Sequence, residues 1–158
     1  MKLIYSIVIL LLLFAGEVTA QNKNTARKLF QQGKYEEAKP MFQKLLKKYP
    51  QNSEYNYWYA VCCYETGDSV DILPMLEFAA SRKISNAHRY LGNYYLDRFD
   101  YPKAISCYND FLDLTKDDSL RIEYEKRYSH VKKLNRMVMN CENVCFVDSF
   151  VVSKSELF

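Results

Sequence analysis

Glycine and proline are scarce in this sequence, with four residues of each in a chain of 158. Glycine loosens the backbone and proline interrupts helical hydrogen bonding, so a shortage of both favours long helical segments. Hydrophobic residues make up 49% of the chain and charged residues 26%, which is the composition of a folded globular domain and of neither a disordered nor a fibrous chain. We therefore expect one domain of ordinary size, built from helices.

The sequence also lacks the charge and the motifs that most classes of ligand require. Its net charge of +3 is too small to indicate a nucleic-acid partner. The two histidines, His88 and His130, have no cysteine or carboxylate at metal-ligand spacing, so no metal site is expected. A glycine-rich phosphate loop, a nucleophile elbow and an HExxH motif are all missing. We therefore predict that the protein is not an enzyme and has no cofactor and no small-molecule substrate.

The longest apolar run, residues 3–15, is too short to span a membrane. As a helix it would cover roughly 20 Å of a hydrocarbon core that is about 30 Å thick. Lys2 precedes the run and small side chains follow at 18–20, an arrangement typical of a secretory signal peptide. We predict a signal peptide at 1–20, cleaved before Gln21, with an uncleaved membrane anchor as the weaker alternative. The mature protein is then exported, and is periplasmic or associated with the outer membrane.

Small and aromatic residues recur in this chain at an interval of 34 positions. Ala26 matches Ala60 and Gly33 matches Gly67, and a third copy follows after 32 positions with Phe99 in place of the glycine. The small residues of the copies are Ala26, Ala60 and Gly92 in the first part and Ala38 and Ala104 in the second. Small residues let two helices cross closely, so each copy is predicted to be an antiparallel helix pair with the glycine in its turn.

This pattern resembles the tetratricopeptide repeat family, whose units also recur about every 34 residues. The first copy carries the resemblance best, through Gly33, Tyr35, Phe42 and Pro50. The resemblance implies an all-α fold, a right-handed α-solenoid of about three helix hairpins. The predicted repeats are 21–52, 53–84 and 85–118, followed by a capping helix at 119–140, so that the repeat domain covers 21–140.

Two prolines depart from that pattern. Pro40 and Pro74 each lie near the fifth position of a second helix, so we predict a late helix start or a kink at both.

The capping helix is predicted to expose five basic side chains, Lys126, Arg127, Lys132, Lys133 and Arg136. They form either a solvated surface or a docking patch for an acidic partner.

The last segment, 141–158, changes to a strand-like composition. β-Branched and aromatic residues cluster around Asp148-Ser149, which predicts short strands from Val144 to Phe158. This tail either packs on the capping helix or is the start of a β-domain. Helical repeats behind a signal peptide and before such a segment are similar to the amino-terminal part of Bacteroides-type envelope proteins. That resemblance implies a TolB-like β-propeller and an OmpA-like domain beyond this chain, through which the protein would contact peptidoglycan or outer-membrane complexes.

The first helices of stacked repeats line a concave surface, and a ligand is expected there. The residues predicted to contact a partner are Arg27, Phe30, Tyr57, Tyr64, Arg89 and Asn93. Aromatic residues and arginine dominate interface hot spots. We therefore predict a non-catalytic protein-interaction scaffold of the bacterial cell envelope, which binds a peptide or a partner domain. The alternative is a spacer module of a larger propeller and peptidoglycan-binding protein, with no ligand of its own.

The five cysteines all follow the signal peptide, in a compartment that favours disulfides. Cys141 and Cys145 are four residues apart, and they either form a disulfide or stay free. Cys62 and Cys63 are adjacent in a first helix, where burial is the simplest expectation. A thiol oxidoreductase based on Cys141 and Cys145 is a third functional hypothesis, although the pair lacks the Cys-x-x-Cys spacing of such enzymes.

Overall fold

The computed structural model describes the backbone of residues 22–155 and the side chains of residues 22–141. Within that range the chain forms helices and no strand. The helices are α1 (22–31), α2 (Tyr35–Lys48), α3 (Ser53–Glu65), α4 (Leu73–Ser81), α5 (Ser85–Leu96), α6 (Tyr101–Leu114) and α7 (Asp118–Ser155). None of them is long and apolar enough to cross a membrane. The predicted signal peptide at 1–20 lies outside the described residues.

The helices form two compact units, which we describe separately as the first unit (α1–α4) and the second unit (α5–α7). In the first unit α3 is the most buried helix, because every residue from Tyr55 to Cys63 is buried. α3 packs against α2 and against α4. The rings of Phe30 on α1 and Phe42 on α2 meet edge to face, with their centroids 6.0 Å apart.

The second unit is built on a close contact between α5 and α6. Gly92 of α5 lies directly against Tyr108 of α6, where a methyl group on Gly92 would overlap Cδ1 and Cε1 of the tyrosine ring. Tyr108, Phe111, Tyr124 and Val131 then form one buried cluster between α6 and α7.

The predicted role of the small residues is confirmed in both units. Ala26, Ala38, Ala60 and Ala104 are each 0% exposed, and Gly92 is buried. A larger side chain at these places would hold the paired helices apart, so the spacing found in the sequence corresponds to helix contacts.

The turns inside the helix pairs share one hydrogen-bond pattern. Gly33 and Gly67 have φ values of 72° and 66°, as their predicted place in a turn requires. The N–H of Gly33 donates to the carbonyl of Phe30 and the next N–H donates to Leu29, a two-bond arrangement that ends a helix. Phe99 makes the equivalent bonds in the third turn with a φ of 61°, a left-handed conformation that disfavours every residue with a Cβ.

The two unexpected prolines, Pro40 and Pro74, occupy different positions in their helices. α4 begins at Leu73, so Pro74 lies in its first turn and the predicted late start is confirmed there. α2 begins at Tyr35 and contains Pro40, so the late start predicted for α2 is wrong. The alternative, a kink at Pro40, stays a prediction. Pro102 lies in the first turn of α6, where its missing N–H removes no helical hydrogen bond.

The strands predicted from Val144 onwards are wrong for the residues that the structure describes. α7 begins at Asp118, as the capping helix should, and then continues through the strand-like segment to Ser155. β-Propensity is a weak local preference, and extending an existing helix forms one hydrogen bond for each residue added without a new nucleation step. Residues 156–158 lie outside the described range.

Candidate functional site

Asn93, on the partly exposed side of α5, receives two hydrogen bonds on one oxygen. The Tyr108 hydroxyl donates to Asn93 Oδ1 over 2.8 Å, and Arg127 Nη1 donates to the same atom over 3.3 Å. Tyr108 is fully buried, and burial raises its pKa to about 12, so its hydroxyl keeps its proton at neutral pH. The Asn93 Nδ2 group has no hydrogen-bond partner among residues 22–141, so it is available to donate to a ligand.

Two guanidinium groups flank the ring of Tyr124. The Cζ atoms of Arg89 and Arg127 lie 5.6 Å and 5.0 Å from the Tyr124 ring centroid. Tyr124 is 3% exposed and meets the rings of Tyr108 and Phe111 edge to face, at 5.5 Å and 5.1 Å between centroids. Arg89 also lies over the ring of Tyr90, at 4.9 Å, so two rings attract its guanidinium group, while Tyr124 attracts that of Arg127.

We call Arg89, Asn93, Tyr124 and Arg127 the Asn93 cluster. Glu123 Oε1 lies 3.6 Å from Arg127 Nη2, and both side chains are about half exposed, so this ion pair is weak and can exchange for a ligand. The N–H donors of this cluster belong to two guanidinium groups and one amide. Such donors are suited to a carboxylate, and a planar guanidinium can bind one through two parallel hydrogen bonds.

The other residues predicted to contact a partner lie in the first unit. The Phe30 and Tyr57 rings are 6.1 Å apart between centroids, and Arg27 lies over Trp58 at 5.9 Å. Tyr57 is only 7% exposed, so it contributes mainly to the core, whereas Arg27 is exposed and Tyr64 is partly exposed. The structure thus groups Arg27 and Phe30 with buried aromatic rings and groups Arg89 and Asn93 with Tyr124.

The residues predicted from the sequence to contact a partner in the groove do not include Tyr108, Tyr124 or Arg127, and Arg127 is predicted only as part of the basic face of the capping helix. One signal was present, because Tyr108 occupies the place of Phe42 in the first repeat. A buried tyrosine hydroxyl needs a hydrogen-bond partner that a phenylalanine does not need, and that partner is Asn93.

The cysteines and the potential metal ligands form no comparable site in the described part of the chain. Cys62 and Cys63 are buried as predicted. Burial raises the pKa of Cys62 to about 12, and it raises the pKa of Cys63 above its ordinary value. Cys141 is exposed and forms no disulfide with any residue whose side chain is described. The side chain of Cys145 lies outside the described residues, so the predicted pairing stays a prediction. Within residues 22–141 no three potential metal ligands come together.

Comparison with known proteins agrees with this architecture. The family profile described as Tetratricopeptide repeat matches residues 24–71. The translocator chaperone SycD of Yersinia enterocolitica type III secretion superposes with a TM-score of 0.67 at 18% identity, over 77% of this chain and 88% of that chain. The fold is that of a tetratricopeptide repeat protein. At this level of identity the superposition establishes the fold and no more.

Two further tetratricopeptide repeat structures of similar fold contain a bound peptide. The first repeat domain of Spaghetti (RPAP3), bound to the HSP90 peptide SRMEEVD, has a TM-score of 0.63 and 18% identity over 75% of this chain and 93% of its own. SycD in complex with a peptide of the translocator YopD has a TM-score of 0.61 and 19% identity over 77% of this chain and 94% of its own. No curated protein matches the chain by sequence.

Proposed function

We propose that the protein is a non-catalytic interaction scaffold that binds a peptide segment of a partner protein, and that the Asn93 cluster binds a carboxylate of that peptide. The observation that carries the proposal is the arrangement of Arg89, Asn93 Nδ2 and Arg127 around one buried ring. Their donors are held in place before a ligand arrives, so little conformational entropy is lost on binding.

Two similarities support this proposal. Tetratricopeptide repeat structures with bound peptides share the fold at TM-scores of 0.63 and 0.61. The peptide SRMEEVD, which RPAP3 binds, contains three acidic side chains and is therefore a usable probe for a carboxylate-binding site.

The test is fluorescence anisotropy of labelled SRMEEVD against an analogue without carboxylates, SRMQQVN with an amidated carboxyl terminus, using purified protein. We expect the acidic peptide to bind at least about tenfold more tightly, because charge-assisted hydrogen bonds contribute about 1.5–3 kcal/mol each. Asn93→Ala and Arg89→Ala should each reduce its affinity about tenfold. Arg98→Ala is the matched control, because Arg98 also stacks on a tyrosine, Tyr94, but lies outside the cluster. Equal affinity for the two peptides, or for wild type and both variants, would refute the carboxylate site.

We also propose that the protein acts in the bacterial cell envelope, after export by the segment at 1–20. This proposal rests on the lysine, the short apolar run and the small residues of that segment. Mass spectrometry of the protein from the producing cells should find a mature amino terminus at Gln21. An intact Met1 in the cytosolic fraction would contradict it.

The spacer hypothesis, in which the chain joins the domains of a larger peptidoglycan-binding protein, gains some support from the 38-residue helix α7. A helix of that length is about 57 Å long and can separate two domains. In that case peptides of either charge should fail to bind the purified protein.

A further inference from the structure

α7 is much longer than the helix it packs against. α6 has 14 residues and α7 has 38, so α7 is about 36 Å longer than α6. The last buried residue of α7 among those with described side chains is Val131, and residues 132–141 are exposed or partly exposed. The segment 132–141, which we call the α7 extension, therefore has no core of its own to join.

The α7 extension has charge of one sign. Lys132, Lys133 and Arg136 are all exposed, and no aspartate or glutamate occurs between Glu125 and Glu142. Uncompensated basic side chains on an exposed helix favour an acidic surface as the partner.

Apolar side chains on the α7 extension form one broad face, on the side of the helix opposite Lys132, Lys133 and Arg136. Met137 is 55% exposed, Val138 41% and Met139 55%. Consecutive residues of an α-helix are about 100° apart, so these three cover roughly 200° of the circumference. A flat surface can contact only one side of a helix, whereas a groove contacts several sides at once.

We propose that the α7 extension is itself a ligand, which inserts into an apolar groove with an acidic rim on a different protein. The groove would cover Met137, Val138 and Met139, and the rim would pair with Lys132, Lys133 and Arg136. Methionine is flexible and polarisable, and amphipathic helices with such residues are bound by grooves of this type. The surface is separate from the Asn93 cluster, so either proposal can fail without the other.

Two other occupants fit these observations less well. A second copy of the chain that paired through the same segment would place lysine and arginine opposite lysine and arginine, which is repulsive. An anionic membrane would satisfy the basic residues, but its flat interface would leave the edges of an apolar arc of roughly 200° in water.

The proposal can be tested by site-specific photo-crosslinking of the full chain in the cells that produce it. The photoreactive residue p-benzoylphenylalanine replaces Met137, Val138 or Met139 one at a time, and Ile122, an exposed residue of α7 before the extension, is the control position. We expect all three test positions to trap the same protein, different from this chain, and the control position not to trap it. The combined variant Lys132→Glu, Lys133→Glu, Arg136→Glu should abolish trapping, and Asn93→Ala should leave it unchanged.

Each of the following results would refute the proposal that the α7 extension binds in a groove of a different protein. Trapping at only one of the three positions would indicate a flat contact, and trapping of another copy would indicate self-association. The absence of any trapped partner, or trapping that survives the charge reversal, would also refute the proposal. Purified protein should not sediment with vesicles of equal phosphatidylglycerol and phosphatidylcholine. Sedimentation that depends on Met137 would instead show that the α7 extension binds a membrane.

Discussion

The hydroxyl of Tyr108 donates a 2.8 Å hydrogen bond to Asn93 Oδ1, so a fully buried residue of α6 orients a partly exposed amide of α5. The amide then has only its Nδ2 group left for a ligand. The core of the second unit and its candidate site are therefore physically connected, and a change in the core should be measurable at the site.

Tyr108→Phe should weaken peptide binding as well as stability. The ring packing is retained, and the loss of one buried hydrogen bond should lower the free energy of unfolding by about 1 kcal/mol. The amide of Asn93 would no longer be held by α6, so the affinity for SRMEEVD should fall several-fold. Urea denaturation and fluorescence anisotropy measure the two effects. Tyr59→Phe, which removes the hydroxyl that accepts from Gln43 in the first unit, should affect stability alone.

Gly92→Ala should destabilise the protein because of Tyr108. The added methyl group overlaps the tyrosine ring, and such overpacking costs about 1–3 kcal/mol, partly offset by about 1 kcal/mol of better helix propensity. In a Tyr108→Leu background the overlap is gone, and the same change should become neutral or stabilising. A double-mutant cycle by urea denaturation tests this coupling. Equal losses in the two backgrounds would show that the close contact is not the cause.

Phe99→Gly should stabilise the protein. A left-handed conformation costs a residue with a Cβ about 1–2 kcal/mol, and Phe99 is 75% exposed, so its ring adds little packing. The larger conformational freedom of glycine in the unfolded chain reduces the gain to about 0.5–1 kcal/mol. The converse change, Gly67→Ala, places a methyl group in open space at a φ of 66° and should destabilise by about 1 kcal/mol. A lower melting temperature for Phe99→Gly would contradict this account.

Asp100→Asn should reduce stability at neutral pH and have no effect in strong acid. The Lys103 ammonium 2.9 Å away, together with the Lys103 backbone N–H, lowers the pKa of the Asp100 carboxyl below its ordinary value. The stabilisation from this carboxylate is therefore complete above an ordinary aspartate pKa of about 4, and it is lost as the pH falls through the lower folded value. Asparagine also caps helices well, so the substitution removes mainly the charge. Melting curves of both proteins from pH 2 to 7 should converge at the acid end.

Alkylation should separate the cysteines by burial. At pH 8 a thiol with a pKa of about 12 is only about one ten-thousandth ionised, so Cys62 should resist iodoacetamide until the protein unfolds. Cys141 is exposed and should react at once. Protection of Cys141 until a reductant is added would indicate a disulfide. Cys145 is the partner that one of the sequence-based alternatives predicts. Peptide mass spectrometry at successive times distinguishes these outcomes.

Most of the helical scaffold could be predicted because its determinants are local. Gly33 and Gly67 take the positive φ expected of them, and the small residues lie at helix contacts. The candidate site was harder to predict, because the exposure of a side chain depends on which residues from other helices pack against it. Tyr57 matched a groove position by its spacing, yet it is 7% exposed against its neighbours in the first unit.

The sequence by itself determined the helix pairs and the turns at Gly33 and Gly67, because helical periodicity and glycine turns act within a few residues of each other. Only the tertiary structure decided that Asn93 meets Tyr108 and Arg127, which are 15 and 34 residues away. It also decided that α7 continues through a strand-like segment and that a phenylalanine adopts the left-handed turn. Local preferences of about 1 kcal/mol per residue are overridden when an extended helix or a packed hairpin contributes more.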